Sequence, residues 1–491
     1  MPKTPLICLA TALLLPQAAE HTPLADSMPD FSRVGYREGA PAPVLAPTLD
    51  ARDFGAVAGD GKDDGPALQR ALDAAGKAGG GVVRLPAGRW TLASRISMTE
   101  RGVVLQGAGS GETLLDCPLS LTDIAGANRN WSWSGALVSL APRGSTQTIG
   151  TVPEAVAAGS CDLPLELAAG ATPPQAGQWL QLSWYNDADK HSLLNHLHGG
   201  ITYPAGMLQE LRERTDPRVT EWVRVASMKD GHLTLSTPIG LELRPEWRPT
   251  LTQPPLLSEC GVEGMSFLFP KTKRQPHLKE KGYNAVTVGR AIDCWVRDLH
   301  IEHADSGVSV GSCRQVSVTD ITLTGKGMHH PLMLSRSSHC LVTRWRISAP
   351  HRHGTTLTWG AHRNVYSRGW GLDLALDCHR ANAFDNLHTQ IEIEVSGDLM
   401  QPLRSGGAFG RGPHAARGNI YWNVAFTFIE PEEPLEISGL AEWPLGVFVG
   451  WHGTHELHLR TEERYGHRVQ ETNRSPAIAN LRQYQVQRAA K

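Results

Sequence analysis

Histidine, aspartate and arginine return at four corners spaced almost evenly along this chain. They read His303-Ala304-Asp305-Ser306, His329-His330-Pro331, His351-Arg352-His353-Gly354 and Asp377-Cys378-His379-Arg380. Asp305, His329, Arg352 and Asp377 follow one another at 24, 23 and 25 residues. Histidine titrates near neutral pH, an adjacent Asp fixes its tautomer and raises its basicity, and Arg neutralises a carboxylate. Together these are the parts needed to break a uronate polymer by β-elimination: a base for the proton beside the carboxylate, positive charge for the enolate-like intermediate, and an acid for the leaving oxygen. His330, His353 and His379 are the candidate bases and acids, with Asp377 beside His379. Arg380 and Arg352 are the candidate neutralisers.

Stacking of such corners requires a repeated element, and one is visible. The segments 294–301, 315–323, 339–347 and 362–370 are short strand patterns in which Asp298, Asp320, Arg344 and Arg368 recur at 22, 24 and 24 residues. A strand returning every 20 to 25 residues without helical spacing between copies reads as one turn of a parallel β-helix per repeat, with rungs about 4.8 Å apart. One edge of that solenoid then carries His329, His330, His351, His353 and His379. Strand alternation places His351 with His353, and Asp377 with His379, on common faces. Cations that fold over this edge would hold an anionic sugar: Lys279 and Lys281 from the basic loop 271–281, and Arg404, Arg411 and His414 from a Gly-rich loop. Asp305, His329 and His351 complete the expected binding set.

The alternatives are a hydrolase and a binding protein. A hydrolase needs two carboxylates facing across the bond, for which Asp305 and Asp377 are the candidates. A non-catalytic carbohydrate-binding solenoid would use stacking residues such as Trp184, Trp359, Trp370 or Trp422. His351 and His353 are spaced for a transition metal, but no third ligand is visible. No dense acidic cluster offers oxygens for calcium, so no cofactor or metal is expected.

The chain has 491 residues, 47 Lys and Arg against 49 Asp and Glu, and a formal net charge of −2. This balance excludes a generally cationic nucleic-acid binder, and no apolar run is long enough to span a bilayer. A basic start, the apolar run 6–15 and small residues at Ala18 and Ala19 read as a secretory signal over 1–19, so export to periplasm or medium is expected. The partner expected is a polysaccharide or oligosaccharide, the chain a monomer. After Cys8, seven cysteines without CxxC spacing form neither a zinc pattern nor a dense disulfide scaffold. Cys294 and Cys313, about one repeat apart, either pair or stack.

In order, an extended arm is expected over 20–50, then a capping helix and first coils over 51–118. An inserted antiparallel β module or lid follows over 119–255, the main solenoid over 256–430, and a terminal coil and tail over 431–491. Asp64, Pro66 and the face Leu68, Ala71, Leu72 and Ala75 define the capping helix, which covers an open solenoid end. Gly107, Gly109 and Gly111 follow a strand without a helix after them, so a tight turn is preferred to a phosphate loop.

The run Asp53-Phe54-Gly55-Ala56, Gly59-Asp60-Gly61, Asp63-Asp64 and Ala67-Leu68-Gln69, followed by Gly79 to Gly88 and Leu105-Gln106-Gly107-Ala108-Gly109, resembles the opening of the pectate-lyase-like superfamily of right-handed parallel β-helices. The later segments around His277, Asp305 and Asp377 resemble a bacterial branch of it. The resemblance implies the all-β solenoid but no single reaction, because lyases, polygalacturonase-type hydrolases, epimerases and phage tailspikes share the fold. Polygalacturonase motifs are absent from the solenoid.

Overall fold

Residues 65–77 carry small and apolar side chains at helical spacing, and a computed structural model places an α-helix at Gly65–Lys77 with Ala67, Leu68, Ala71, Leu72 and Ala75 buried. The structure describes residues 23–397, 402–403, 406–429 and 435–490. The leader expected over 1–19, with Cys8, and the candidate Arg404 lie outside the described residues. Asp64 does not cap the helix with its side chain. Its carboxylate instead accepts from the Val57 and Thr91 amides at 2.9 Å each, tying the helix start to the first coil.

The coil is a parallel β-helix. Its longest sheet runs through Gly81–Leu85, Val103–Gly107, Gly261–Leu268, Trp295–Glu302, Ser317–Thr324, Leu341–Ile347, Val365–Leu372, Leu387–Val395, Ile420–Phe428 and Val447–Gly453, each parallel to the next. A second parallel sheet stacks Ile96–Met98, Val138–Leu140, Asn284–Gly289, Ser306–Gly311, His330–Ser335 and Thr355–Thr358. Single bridges through Ile292, Arg314, Ser338, His362 and Phe384 form a third face. The recurring Asp298, Asp320, Arg344 and Arg368 all have left-handed backbone, with φ of 52°, 58°, 53° and 49°. Gly264 and Gly450 take the same conformation in other rungs of this sheet. The repeat is therefore a stacked bend within each strand from Gly261–Leu268 onward, at a φ that short polar residues and glycine tolerate best.

Val138–Leu140 belongs to the second parallel sheet, although it falls inside the stretch expected to be insert. Three apolar-flanked residues are too short to stand out as a rung. The antiparallel module itself spans the strands from Gln147–Thr151 to Thr250–Gln253, in a seven-stranded sheet with its own core around Leu182, Trp184, Val223 and Trp247. It docks through a buried pair, Arg314 Nη1 to Glu221 Oε1 at 2.9 Å, and through Trp222 Nε1, which donates to Ser312 O. Its core also takes in Phe384 and Ala416 of the coil.

The arm and the C-terminal helix Leu481–Ala489 share the outer face of the long sheet, where Phe31 and Val34 pack with Leu387, Trp422 and Leu481. The helix thus lies along the side of the solenoid: Leu481 N donates to Thr389 Oγ1. Cys117, Cys161, Cys260, Cys294, Cys313 and Cys340 are free thiols, and Cys260, Cys294, Cys313, Cys340 and Cys378 are buried in the coil.

Candidate active site

Parallel register is what gathers the histidines. Ser306 pairs with His330, and Leu332 pairs with Thr355, so His330 and His353 occupy neighbouring rungs. Their rings stack with centroids 4.6 Å apart at 18°. His329 lies 4.3 Å from His330, and His379 meets the His353 ring edge-on at 4.4 Å. The loop between Gly261–Leu268 and Asn284–Gly289 folds over this cluster and brings in His277, 5.0 Å from His329.

Asp377 is fully buried and organises the cluster. Its Oδ2 lies 3.3 Å from His353 Nδ1 and 3.1 Å from His379 Nδ1, while its Oδ1 accepts from Gly406 N at 2.8 Å. Cys378 pairs with Leu357, so Asp377 sits beside Thr356 rather than in the rung position of Arg352. Burial raises the Asp377 pKa, but the charges and N–H groups of His353 and His379 outweigh it and hold the carboxyl well below its usual range. Gly406 is needed at this point: a Cβ there would stand 2.0 Å from His353 Cε1 and 2.4 Å from His379 Cε1.

Three tautomers follow from these partners. A carboxylate only accepts, so His353 and His379 carry the proton on Nδ1 and keep a lone pair on Nε2. His329 Nδ1 donates to Ser132 O at 2.6 Å and is fixed the same way. His353 Nε2 is buried without a partner, whereas the His379 side chain is 18% exposed.

Burial, aided by neighbouring rings, lowers the pKa of His329 to about 3 and of His330 well below its usual value. It also lowers His353, against the pull of Asp377. The unfolded chain takes up protons near the ordinary 6.5 that the folded cluster refuses. Stability is therefore full above pH 6.5 and falls as the pH drops below it. Melting temperatures at pH 7.5 and pH 5 should show the fall; equal values would contradict it.

The cluster opens on a cavity of about 830 Å³ lined by His277, His329, His330, His353 and His379. Arg129, Arg336, Arg352 and Arg411 also line it, and no Asp or Glu among the described residues does. Trp359 lines the cavity too, with the guanidinium carbons of Arg214, Arg336 and Arg411 at 4.4, 5.2 and 5.3 Å from its ring centroid. Arg214 comes from the inserted module, which thus reaches this side of the coil.

Of the residues singled out in the sequence, His329, His330, Arg352, His353, His379 and Arg411 line the cavity, and Asp377 lies beneath it. Others do not. Arg380 is buried, its Nη1 donating to Gly412 O and to Glu442 Oε2. Arg380→Ala should thus cost about 1.5–3 kcal/mol of stability and leave chemistry to the remaining cations; loss of turnover with an unchanged melting curve would contradict this. His414 joins the same pair, with Nε2 3.3 Å from Glu442 Oε2. His351 donates from Nδ1 to Ala349 O and faces away from His353, because residues 352–354 bend and strand alternation fails there. Asp305 is buried, paired at 3.0 Å with Lys326 Nζ and accepting from the Gly282 and Tyr283 amides. Lys279 and Lys281 are exposed and line no part of the cavity. Of the four tryptophans considered, Trp184 and Trp422 are core residues, and Trp370 stacks with Arg346 on the long sheet.

A family model described as "Rhamnogalacturonase A/epimerase, pectate lyase-like" matches residues 49–130. Mannuronan C5-epimerase AlgE3 of Azotobacter vinelandii is 45% identical over 92 residues, which is 18% of this chain and 5% of that protein. Alginate lyase 7 of the same organism is 42% identical over 73 residues, 13% of this chain and 8% of that protein. The Gp54 tailspike of Acinetobacter baumannii bacteriophage AP22, solved with a capsular saccharide, has 11% identity and a TM-score of 0.47, covering 86% of this chain and 69% of its own. The matches to the curated relatives span only 5% to 13% of those proteins. The family model matches the first coils alone, and the parallel coil continues beyond them through strands of its own, so the chain is similar to the pectate-lyase-like β-helix proteins over residues 49–130 and shares their parallel β-helix architecture.

Proposed function

We propose that the protein is an exported polysaccharide lyase that cleaves a uronate-containing glycan by β-elimination. The observation that carries this reading is the buried Asp377 carboxylate holding two histidines by Nδ1 at the floor of a cavity lined by four arginines and no described carboxylate. The names of the matched relatives, mannuronan epimerase and alginate lyase, add support, since both refer to uronate polymers.

In this reading Arg352 and the other cavity arginines hold the uronate carboxylates and stabilise the negative charge that develops when the C5 proton leaves. His379 Nε2 takes that proton, and Asp377 stabilises the imidazolium that forms. The electron pair of the C5–H bond becomes the C4–C5 double bond, the bond from C4 to the glycosidic oxygen breaks, and a protonated group of the cluster returns a proton to that oxygen. The hydrolase alternative draws no support from Asp305, tied to Lys326, or from Asp377, covered by two rings.

The test is to incubate the purified chain with mannuronan, other uronate polymers and neutral glycans, following ultraviolet absorbance and reducing ends together. Both signals rising on a uronate polymer is the expected result. Reducing ends without absorbance would replace the lyase by a hydrolase, and a neutral glycan as the preferred substrate would remove the role given to the arginines.

A further inference from the structure

We infer that His277, His329 and His353 form a three-histidine site for one divalent transition metal of the zinc class, its fourth position open to the cavity. Each residue offers one ring nitrogen, and the three nitrogens lie within 4.8 Å of one another. A tetrahedral site with bonds of about 2.0–2.1 Å sets its nitrogens roughly 3.4 Å apart, so closing the set needs shifts of about 1 Å. His277 stands on an exposed loop that can supply them.

Three further observations point to a cation. First, the outer hydrogen bonds are those of metal-bound histidines. His329 donates from Nδ1 to a backbone carbonyl and His353 from Nδ1 to a carboxylate, which orients both rings and leaves the lone pair on Nε2. Second, that Nε2 of His353 is buried and accepts from nothing, a vacancy a metal bond fills. Third, Glu280 is 4% exposed, its Oε1 lies 3.7 Å from His329 Nδ1, and neither of its oxygens accepts a hydrogen bond. A buried carboxylate without donors is costly, and a divalent cation among the neighbouring rings offsets its charge.

A second grouping, His353, Asp377 and His379, also places three ligand atoms within 4.8 Å. There the ring nitrogens nearest the carboxylate already donate to it, so a metal would have to displace both protons. Asp377 is better used as the outer support of His353. Three neutral imidazoles with one open position suit zinc and its neighbours rather than calcium, which prefers oxygen. In the lyase reading, which the site does not depend on, the open position lies where a uronate carboxylate would bind, and a cation there strengthens the acidity of the C5 proton.

The experiment strips the full chain with a chelator, then titrates it with zinc against a chromophoric competitor, with metal content counted independently. One equivalent is expected for the unaltered chain. Binding should be at least about 10²-fold weaker in His277→Ala and His353→Ala, and 10- to 100-fold weaker in Asp377→Asn. His277→Ala is the decisive variant, because an exposed loop residue can be removed without unfolding the coil. The inference is overturned if the unaltered chain retains no zinc, or if His277→Ala binds it undiminished while Asp377→Asn does not. Zinc uptake without any unsaturated product keeps the site and removes the lyase. Unsaturated product from a chain that takes up no zinc does the reverse.

Discussion

His379→Ala is expected to lower turnover of a uronate polymer by about 10²- to 10⁴-fold, the usual contribution of a positioned acid or base. Of the three rings whose tautomer is fixed with Nε2 free, His353 and His329 line the cavity but are almost wholly buried, His353 packed between the His330 and His379 rings and His329 donating to Ser132. His379 combines the Asp377 bond with exposure to the cavity. Asp377 keeps His353 and the Gly406 amide in the variant, so the chain should still fold, with a lowered melting temperature, and a folded but inactive variant separates lost chemistry from lost fold. Full turnover in the variant would assign the base to another ring. A matching loss in Asp377→Asn, which leaves the rings in place but frees their tautomers, would complete the dyad.

Arg314→Ala should produce the largest loss of stability, about 3–5 kcal/mol, the range for breaking a buried ion pair from one side. Arg314 sits on the third face of the coil and Glu221 on the module strand Val219–Lys229, and both side chains are nearly inaccessible. Burial raises the Glu221 pKa, while Arg314, His362 and Arg363 together bring it below the usual value. Without Arg314 the carboxylate loses its closest counter-charge in a place water does not reach. The double replacement Arg314→Met with Glu221→Gln should recover most of the loss, since neither charge is then stranded. The expected readout is a lower denaturant midpoint with early proteolysis in residues 147–253. An unchanged midpoint in Arg314→Ala would show that the module is held by its apolar contacts alone.

Much of the fold was legible because a solenoid writes its period into the chain. Asp298, Asp320, Arg344 and Arg368 were recognisable as equivalents, though the reason, a left-handed bend repeated in the rungs from Gly264 onward, belongs to the backbone and is silent in residue type. The stacking of His330 on His353 follows from the same register. Alternation carried through a bent corner placed His351 with His353. Arg380 was expected in the cavity because it follows His379 in the same charged corner, but its left-handed φ of 57° turns it toward Glu442. Asp305 had the right rung but the wrong neighbour, because Lys326 arrives from the strand-end loop of the same coil. His277, Arg129, Arg336 and Glu280 were not named as site residues. His277 and Glu280 come from a loop whose fold-back no local pattern encodes, and Arg129 lies far from the repeats. The basic run at 271–281 was the available signal, yet its histidine rather than its lysines reaches the site.

The central claim is that a uronate loses its C5 proton in this cavity. Proton NMR of mannuronan digested in heavy water tests it directly. The account requires products with an unsaturated sugar at the new non-reducing end, formed as the C5 proton signal of that residue disappears. Shortened chains that keep every C5 proton and show no alkene signal would contradict it.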